Sequence, residues 1–205
     1  MPAPDRDRRH RTGVALCLAL VILLAPAAAL NATVTVLPGG DAYRGEVTLV
    51  NASEYSFWEP GMLGERIPLT GKNVTVSGAC GENCTYTQKD RNIIAFDKGN
   101  VTVTYEAPIA ENNLQLIFTE PSNITVTLPE GQDIKNPLLG RVSEGGKVST
   151  ENNTTTVIAF DRVRYVEVRF YDQTRERLLY IFGSVWLTVA VVLLFPFLLM
   201  RRRQE

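Results

Sequence analysis

Two cysteines stand four positions apart in Ala79-Cys80-Gly81-Glu82-Asn83-Cys84-Thr85. A close thiol pair has three chemistries open to it: a structural disulfide, a redox couple, or metal ligation. A structural zinc site takes four Cys or His ligands, and the only His in the chain is His10, inside the leader-like N-terminus. A redox pair ordinarily has two residues between its cysteines and opens a helix, whereas three intervene here, among residues of strand character. Cys80 and Cys84 therefore read as one small disulfide loop at a turn in an oxidising compartment, with redox and metal roles as the alternatives. The missing imidazole also removes Ser-His and Cys-His nucleophile pairs. No P-loop, Gly-x-Ser-x-Gly elbow, HExxH or EF-hand spacing occurs. Asp97, Asp161, Glu106 and Glu167 are left as material for a carboxylate acid/base pair, but Asp97 and Asp161 close equivalent strands, which points to a structural role. The expectation is no catalytic residue, no cofactor and no metal: a chain that is not an enzyme.

A stronger signal lies in the asparagines. Asn-x-Ser/Thr sequons begin at Asn31, Asn51, Asn73, Asn83, Asn100, Asn123, Asn152 and Asn153, eight of the twelve asparagines in the chain. Chance placement would give roughly 1.5. These are read as N-glycan acceptors on an exported surface. The competing reading is that Asn simply precedes Thr-rich strands in turns. Alternation of strand faces favours sugars: in Asn73-Val74-Thr75-Val76, Asn100-Val101-Thr102-Val103 and Asn123-Ile124-Thr125-Val126, Asn and Thr share the solvent face and the β-branched residues point inward. Asn83 is the weakest candidate because Cys84 is its middle residue. Asn152 and Asn153 adjoin, so one of the two is expected to be modified.

The elements that carry these residues are strands. Alternating β-branched and polar residues predict strands at 32–37, 46–51, 73–77, 92–97, 101–106, 114–119, 123–128, 155–160 and 163–171, separated by turns such as Pro38-Gly39-Gly40, Glu130-Gly131 and Gly145-Gly146. The fold class is an all-β extracellular domain, a β-sandwich, plus one C-terminal transmembrane α-helix. Ile93-Ile94-Ala95-Phe96-Asp97 recurs as Val157-Ile158-Ala159-Phe160-Asp161. This suggests two related β modules, 30–119 and 120–176, parted near Glu120-Pro121; a single sandwich lined by both hairpins is the competing account. Trp58 reads either as a core cap or as an exposed contact aromatic.

Both ends are apolar. Arg6 to Arg11, the run Gly13 to Leu24 and Ala27-Ala28-Ala29 have the layout of a signal peptide over residues 1–29. Residues 177–200 read as a transmembrane helix, since Leu178 to Met200 is 23 residues without a charge. Arg201-Arg202-Arg203 in the tail, 201–205, places the C-terminus in the cytoplasm and the β domain outside. Asp172 is placed as the N-cap of this helix. Residues 30–177 carry 19 acidic and 14 basic side chains, a net of −5, which argues against nucleic acid as a partner. The lipid bilayer is the expected partner, together with an envelope or membrane protein. Arg162, Arg164, Arg169 and Arg175 are expected to meet headgroups or a neighbouring protein, or else to pair with Asp161, Glu167 and Asp172.

Leader, sequon-rich β domain with the Thr127-Leu128-Pro129-Glu130-Gly131 turn, anchor and basic tail together resemble uncharacterised archaeal membrane-anchored surface proteins, a domain-of-unknown-function type. The resemblance implies a glycosylated envelope protein at the cell membrane. Three functions compete: an envelope structural or interaction protein, an accessory subunit of a membrane transport or export complex, and a surface carbohydrate-active enzyme built on a carboxylate pair.

Overall fold

Strict alternation of burial shows why the chain extends. In β1 (Leu30–Val36), Ala32, Val34 and Val36 are buried while Asn31, Thr33 and Thr35 face solvent. Branched apolar side chains on one face and short hydroxyls on the other suit a half-buried strand. The structure is a computed structural model that describes residues 30–151 and 154–202. The expected signal peptide, Asn152 and Asn153 lie outside the described residues.

The other strands are β2 (Ala42–Ser56), β3 (Trp58–Pro60), β4 (Arg66–Pro68), β5 (Lys72–Gly78), β6 (Tyr86–Asp90), β7 (Ile93–Pro108), β8 (Asn113–Leu128), β9 (Gln132–Asp133), β10 (Arg141–Val142), β11 (Lys147–Glu151), β12 (Thr155–Arg169) and β13 (Tyr171–Asp172). Helix α1 follows at Gln173–Arg202. The main sheet runs β10-β12-β8-β1-β2-β7-β5, with β11 on β12 and β6 on β7. It is an all-β, open, sandwich-like domain with one helix, as expected. One apolar cluster joins Val34, Val47, Val103, Val126, Ile158 and Val168 from strands across the whole sheet.

The sheet order is symmetric about β1. On one side lie β2, β7 and β5; on the other lie β8, β12 and β10. The internal repeat occupies equivalent places in this pattern. Ile94 pairs with Tyr55 of β2 and Gln88 of β6, and Ile158 pairs with Val126 of β8 and Val148 of β11. The junction between the halves is the turn at 109–112, not Glu120-Pro121. Pro121 lies inside β8, in the register gap between the Ile117–Tyr165 and Ser122–Val163 pairs. A proline there forfeits no ladder hydrogen bond.

Three pairs of expected strands are single strands bent at β-bulges. Val50 and Asn51 on β2 oppose Asn100 of β7, and Asn51 takes the left-handed conformation (φ 54°). Asp161 and Arg162 on β12 oppose Asn123 of β8, with Arg162 at φ 53°. The two bulges are closed alike: Asn51 N donates to Asn100 Oδ1 (2.9 Å) and Arg162 N donates to Asn123 Oδ1 (3.2 Å). A bulge leaves one amide out of the ladder and sharpens the local twist, and in each case the opposing asparagine takes up that amide.

These contacts separate two roles of one residue. Asn123→Asp keeps the oxygen acceptor and removes the sequon, whereas Asn123→Ala removes both. Loss of an exposed hydrogen bond costs roughly 1 kcal/mol. The alanine variant is expected to unfold at lower denaturant by about that amount and the aspartate variant to stay near wild type, as read from the midpoints of chemical unfolding curves.

Candidate functional site

The register places short polar side chains in rows across the outer face. One row runs Ser77, Thr102, Thr48, Asn31 and Asn123 from β5 through β8; the next runs Thr75, Thr104, Glu46, Thr33 and Thr125. Neighbours in a row are about 4.8 Å apart. The sequon asparagines stand on this face and its edges: Asn31, Asn51, Asn73, Asn83, Asn100 and Asn123 are all exposed. Asn83 alone lies in a bend before a strand, in the loop that leads to β6. Asn51 and Asn73 are themselves left-handed bulge residues (φ 54° and 49°), and Asn100 and Asn123 close bulges. Asn tolerates positive φ better than other residues with side chains, and this selection was not visible in the Asn-Val-Thr spacing alone.

Their amide groups differ in freedom. Asn73 Nδ2 donates to Glu106 Oε2 at 2.6 Å, and Asn123 Nδ2 donates to Asn31 Oδ1 at 3.3 Å. The Asn100 side chain is engaged through its oxygen. Glu106 also binds Arg44 at 2.8 Å. The hydrogen bond from Arg44, then that from Asn73, holds the Glu106 carboxyl below the ordinary glutamate range. Glu106 is therefore a fixed anion in a polar network and not a proton donor near neutral pH.

Cys80 and Cys84 form a disulfide, with Cα atoms 5.5 Å apart. It closes the connection from β5 to β6. Gly78 and Gly81 exchange backbone hydrogen bonds of 2.9 Å, and Cys84 N donates to Val76 O at 2.7 Å. Asn83 projects from this loop. The four carboxylates considered for catalysis are not assembled. Asp97 and Asp161 sit at the bends of β7 and β12, which β2, β1 and β8 separate in the sheet, and both are exposed. Glu167 accepts from the Tyr165 hydroxyl at 3.4 Å. Among the described residues, no three His, Cys, Asp or Glu side chains converge.

Three tyrosines and a phenylalanine of the core form an aromatic cluster. Tyr105 packs edge-on to Phe57 (4.9 Å between centroids) and Tyr43 (6.0 Å), and Phe57 packs edge-on to Tyr55 at 5.0 Å. Tyr105 lies over its cross-strand partner Gly45, where a Cβ would come within 2.9 Å of the ring. Trp58, neither core nor fully exposed, lies beside this cluster on β3 and lines a hollow with Leu30, Ala52 and Phe118.

The end of the domain that meets α1 has a different character. Asp172 Oδ1 accepts from Arg175 N at 2.8 Å, the expected N-cap. From Gln173 to Phe195 the helix is long and apolar enough to cross a membrane (mean hydropathy 2.4) and none of that stretch is buried in the protein. The ion pairs among the described residues are Arg44–Glu106, Lys89–Glu54 and Lys135–Asp133, so Arg162, Arg164, Arg169 and Arg175 do not take the expected partners Asp161, Glu167 and Asp172. Arg169 instead stands directly opposite Arg141 on β10. Among the described residues, the most exposed large apolar side chains outside the helix are Met62 and Leu63, at the tip of the β3–β4 hairpin, and Leu138, in the loop after β9.

Burial raises the hydroxyl pKa of Tyr43, Tyr55 and Tyr105 above the usual tyrosine value, and for Tyr43 and Tyr55 the neighbouring Tyr105 adds to it. A folded-state pKa above the unfolded one stabilises the fold fully below the unfolded value, near pH 10, and that stability is lost as pH rises beyond it. Absorbance at 295 nm is expected to show these three of the seven tyrosines ionising only as the protein unfolds. Tyr55→Phe is expected to lessen the stability lost between about pH 9 and pH 11.

No curated protein matches this chain. Residues 29–204 match a family of unknown function, DUF5803, and a match over nearly the whole length makes the chain a member of that family.

Proposed function

We propose that this protein is a single-pass cell-surface glycoprotein of the archaeal envelope. Its β domain faces outward, α1 crosses the bilayer, and the arginines after Met200 hold the C-terminus in the cytoplasm. The domain is non-catalytic and acts by contact, as a structural or interaction module. The observation that carries this reading is the exposure of all six described sequon asparagines on a domain joined without a spacer to an apolar helix. A disulfide in a solvent-facing loop suits the same oxidising exterior.

Sugars on Asn100 and on one of Asn31 and Asn123 cover the threonine-rich face and leave the β3–β4 hairpin open. Met62 and Leu63 there are 102% and 94% exposed and belong to no sequon. On this reading the hairpin is the surface offered to a neighbouring envelope protein. The alternative role, an accessory subunit of a transport complex, places the main partner against α1 instead. Crosslinking in intact membranes separates them: adducts at residues 58–68 favour the first reading, and adducts confined to the helix favour the second.

Glycopeptide mass spectrometry on protein from its native membrane tests the glycan reading. An N-linked sugar replaces one hydrogen of Nδ2 and leaves Oδ1 as an acceptor, so Asn100 can carry a sugar and still close its bulge. Asn31 and Asn123, neighbours in the parallel β1–β8 register, are too close for two glycans. Sugar is expected on Asn100 and on one of Asn31 and Asn123 per molecule. Unmodified asparagine at all eight sequons would overturn the glycoprotein reading.

A further inference from the structure

The loop between β9 and β10 is built with unusual rigidity for a segment that exposes leucine. Asn136 N donates to the hydroxyl of buried Tyr171 at 2.9 Å, and Leu138 N donates to Asn136 Oδ1 at 3.1 Å. Leu139 N and Gly140 N then both donate to Asn136 O, at 3.1 and 2.7 Å. Gly140 lies so close to the Ile134 backbone that no side chain fits there. The loop is thus clamped at both ends, with Pro137 fixing one φ between them. Yet it holds Leu138 at 76% exposure, where the side chain has no protein partner.

Its position gives that exposure a purpose. Leu139 lines a shallow apolar groove whose other wall is α1, through Leu178, Leu179 and Phe182. Leu178 is the first residue of the uncharged stretch of the helix, just past Arg175, Glu176 and Arg177. A loop packed at this level lies where headgroups give way to acyl chains. Arg141 and Arg169, opposite one another at the same end, are exposed and pair with no carboxylate among the described residues. Facing like charges are unfavourable across a strand pair unless anions meet them, and an anionic headgroup layer supplies those anions.

We propose that the Asn136–Leu139 loop is a second membrane contact, with Leu138 and Leu139 inserted at the outer edge of the hydrocarbon beside α1, and with Arg141, Arg169 and Arg175 on lipid phosphates. The inference rests on the reading of α1 as a membrane span. Helix and loop together form a two-point mount that fixes the tilt of the domain on the bilayer.

The test uses the full chain in vesicles of phosphatidylcholine and phosphatidylglycerol that contain a phospholipid with a diazirine near the top of its acyl chain. After illumination, trypsin releases the loop as Asn136–Arg141 and the helix as Leu178–Arg201. Lipid adducts on both peptides are expected. Adducts on the helix peptide alone would place the loop in water and overturn the proposal while leaving the span intact. Adducts on neither would overturn the span and the proposal with it. Leu138→Asp, at a position outside the core, is expected to cut the loop adduct by about tenfold, since a carboxylate resists entry into the acyl layer, with the helix adduct and the β-sheet circular dichroism unchanged. An undiminished loop adduct in that variant would also overturn the proposal.

Discussion

A strand inside a sheet has to satisfy its backbone groups on both edges, and β1 does so against two different halves of the chain. Its first edge is antiparallel to β2, and its second is parallel to β8. Every other long pairing stays within one half, β2 with β7 and β8 with β12. Strand β1 is therefore the member on which the continuous sheet depends. Its three buried side chains, Ala32, Val34 and Val36, extend the apolar cluster across the junction. Since α1 leaves from the end of the second half, this junction is also what ties the strands of the first half to the helix.

The two bulges give that sheet its shape, and they explain the dual character of its asparagines. At each bend an asparagine oxygen receives the amide that the ladder has dropped, and the left-handed residue is Asn51 at the first bend and Arg162 at the second. The oxygen and backbone do the structural part, while the nitrogen faces solvent or a polar neighbour. One residue type thus serves the bends and, on the proposed reading, modification as well.

Much of this was legible in the sequence, because half-buried strands carry a two-residue period and the C-terminal helix carries a long apolar run. The β class, the disulfide loop, the Asp172 cap and the pairing of the two repeated hairpins all follow from local pattern. The rest depends on contacts distant in sequence. Short polar strands such as β6 and β11 have no buried face, so no alternation betrays them. Asn100 and Arg162 looked like strand ends because a bulge interrupts the period as a turn does. Pro121 read as a boundary for the same reason, and only the register gap in β8 shows why a proline is tolerated there. The tyrosine cluster joins β2 to β7 over Gly45, and nothing near any one of its members in sequence announces it.

The central claim is that the two halves share one core through β1 and unfold as one unit. Hydrogen exchange of the full chain in lipid nanodiscs, followed over increasing denaturant and read on peptides from β7 and β12, tests it most directly. A common midpoint for the loss of protection in both strands is the predicted result. Loss of protection in β12 at clearly lower denaturant than in β7, or the reverse, would contradict it and restore two independent modules.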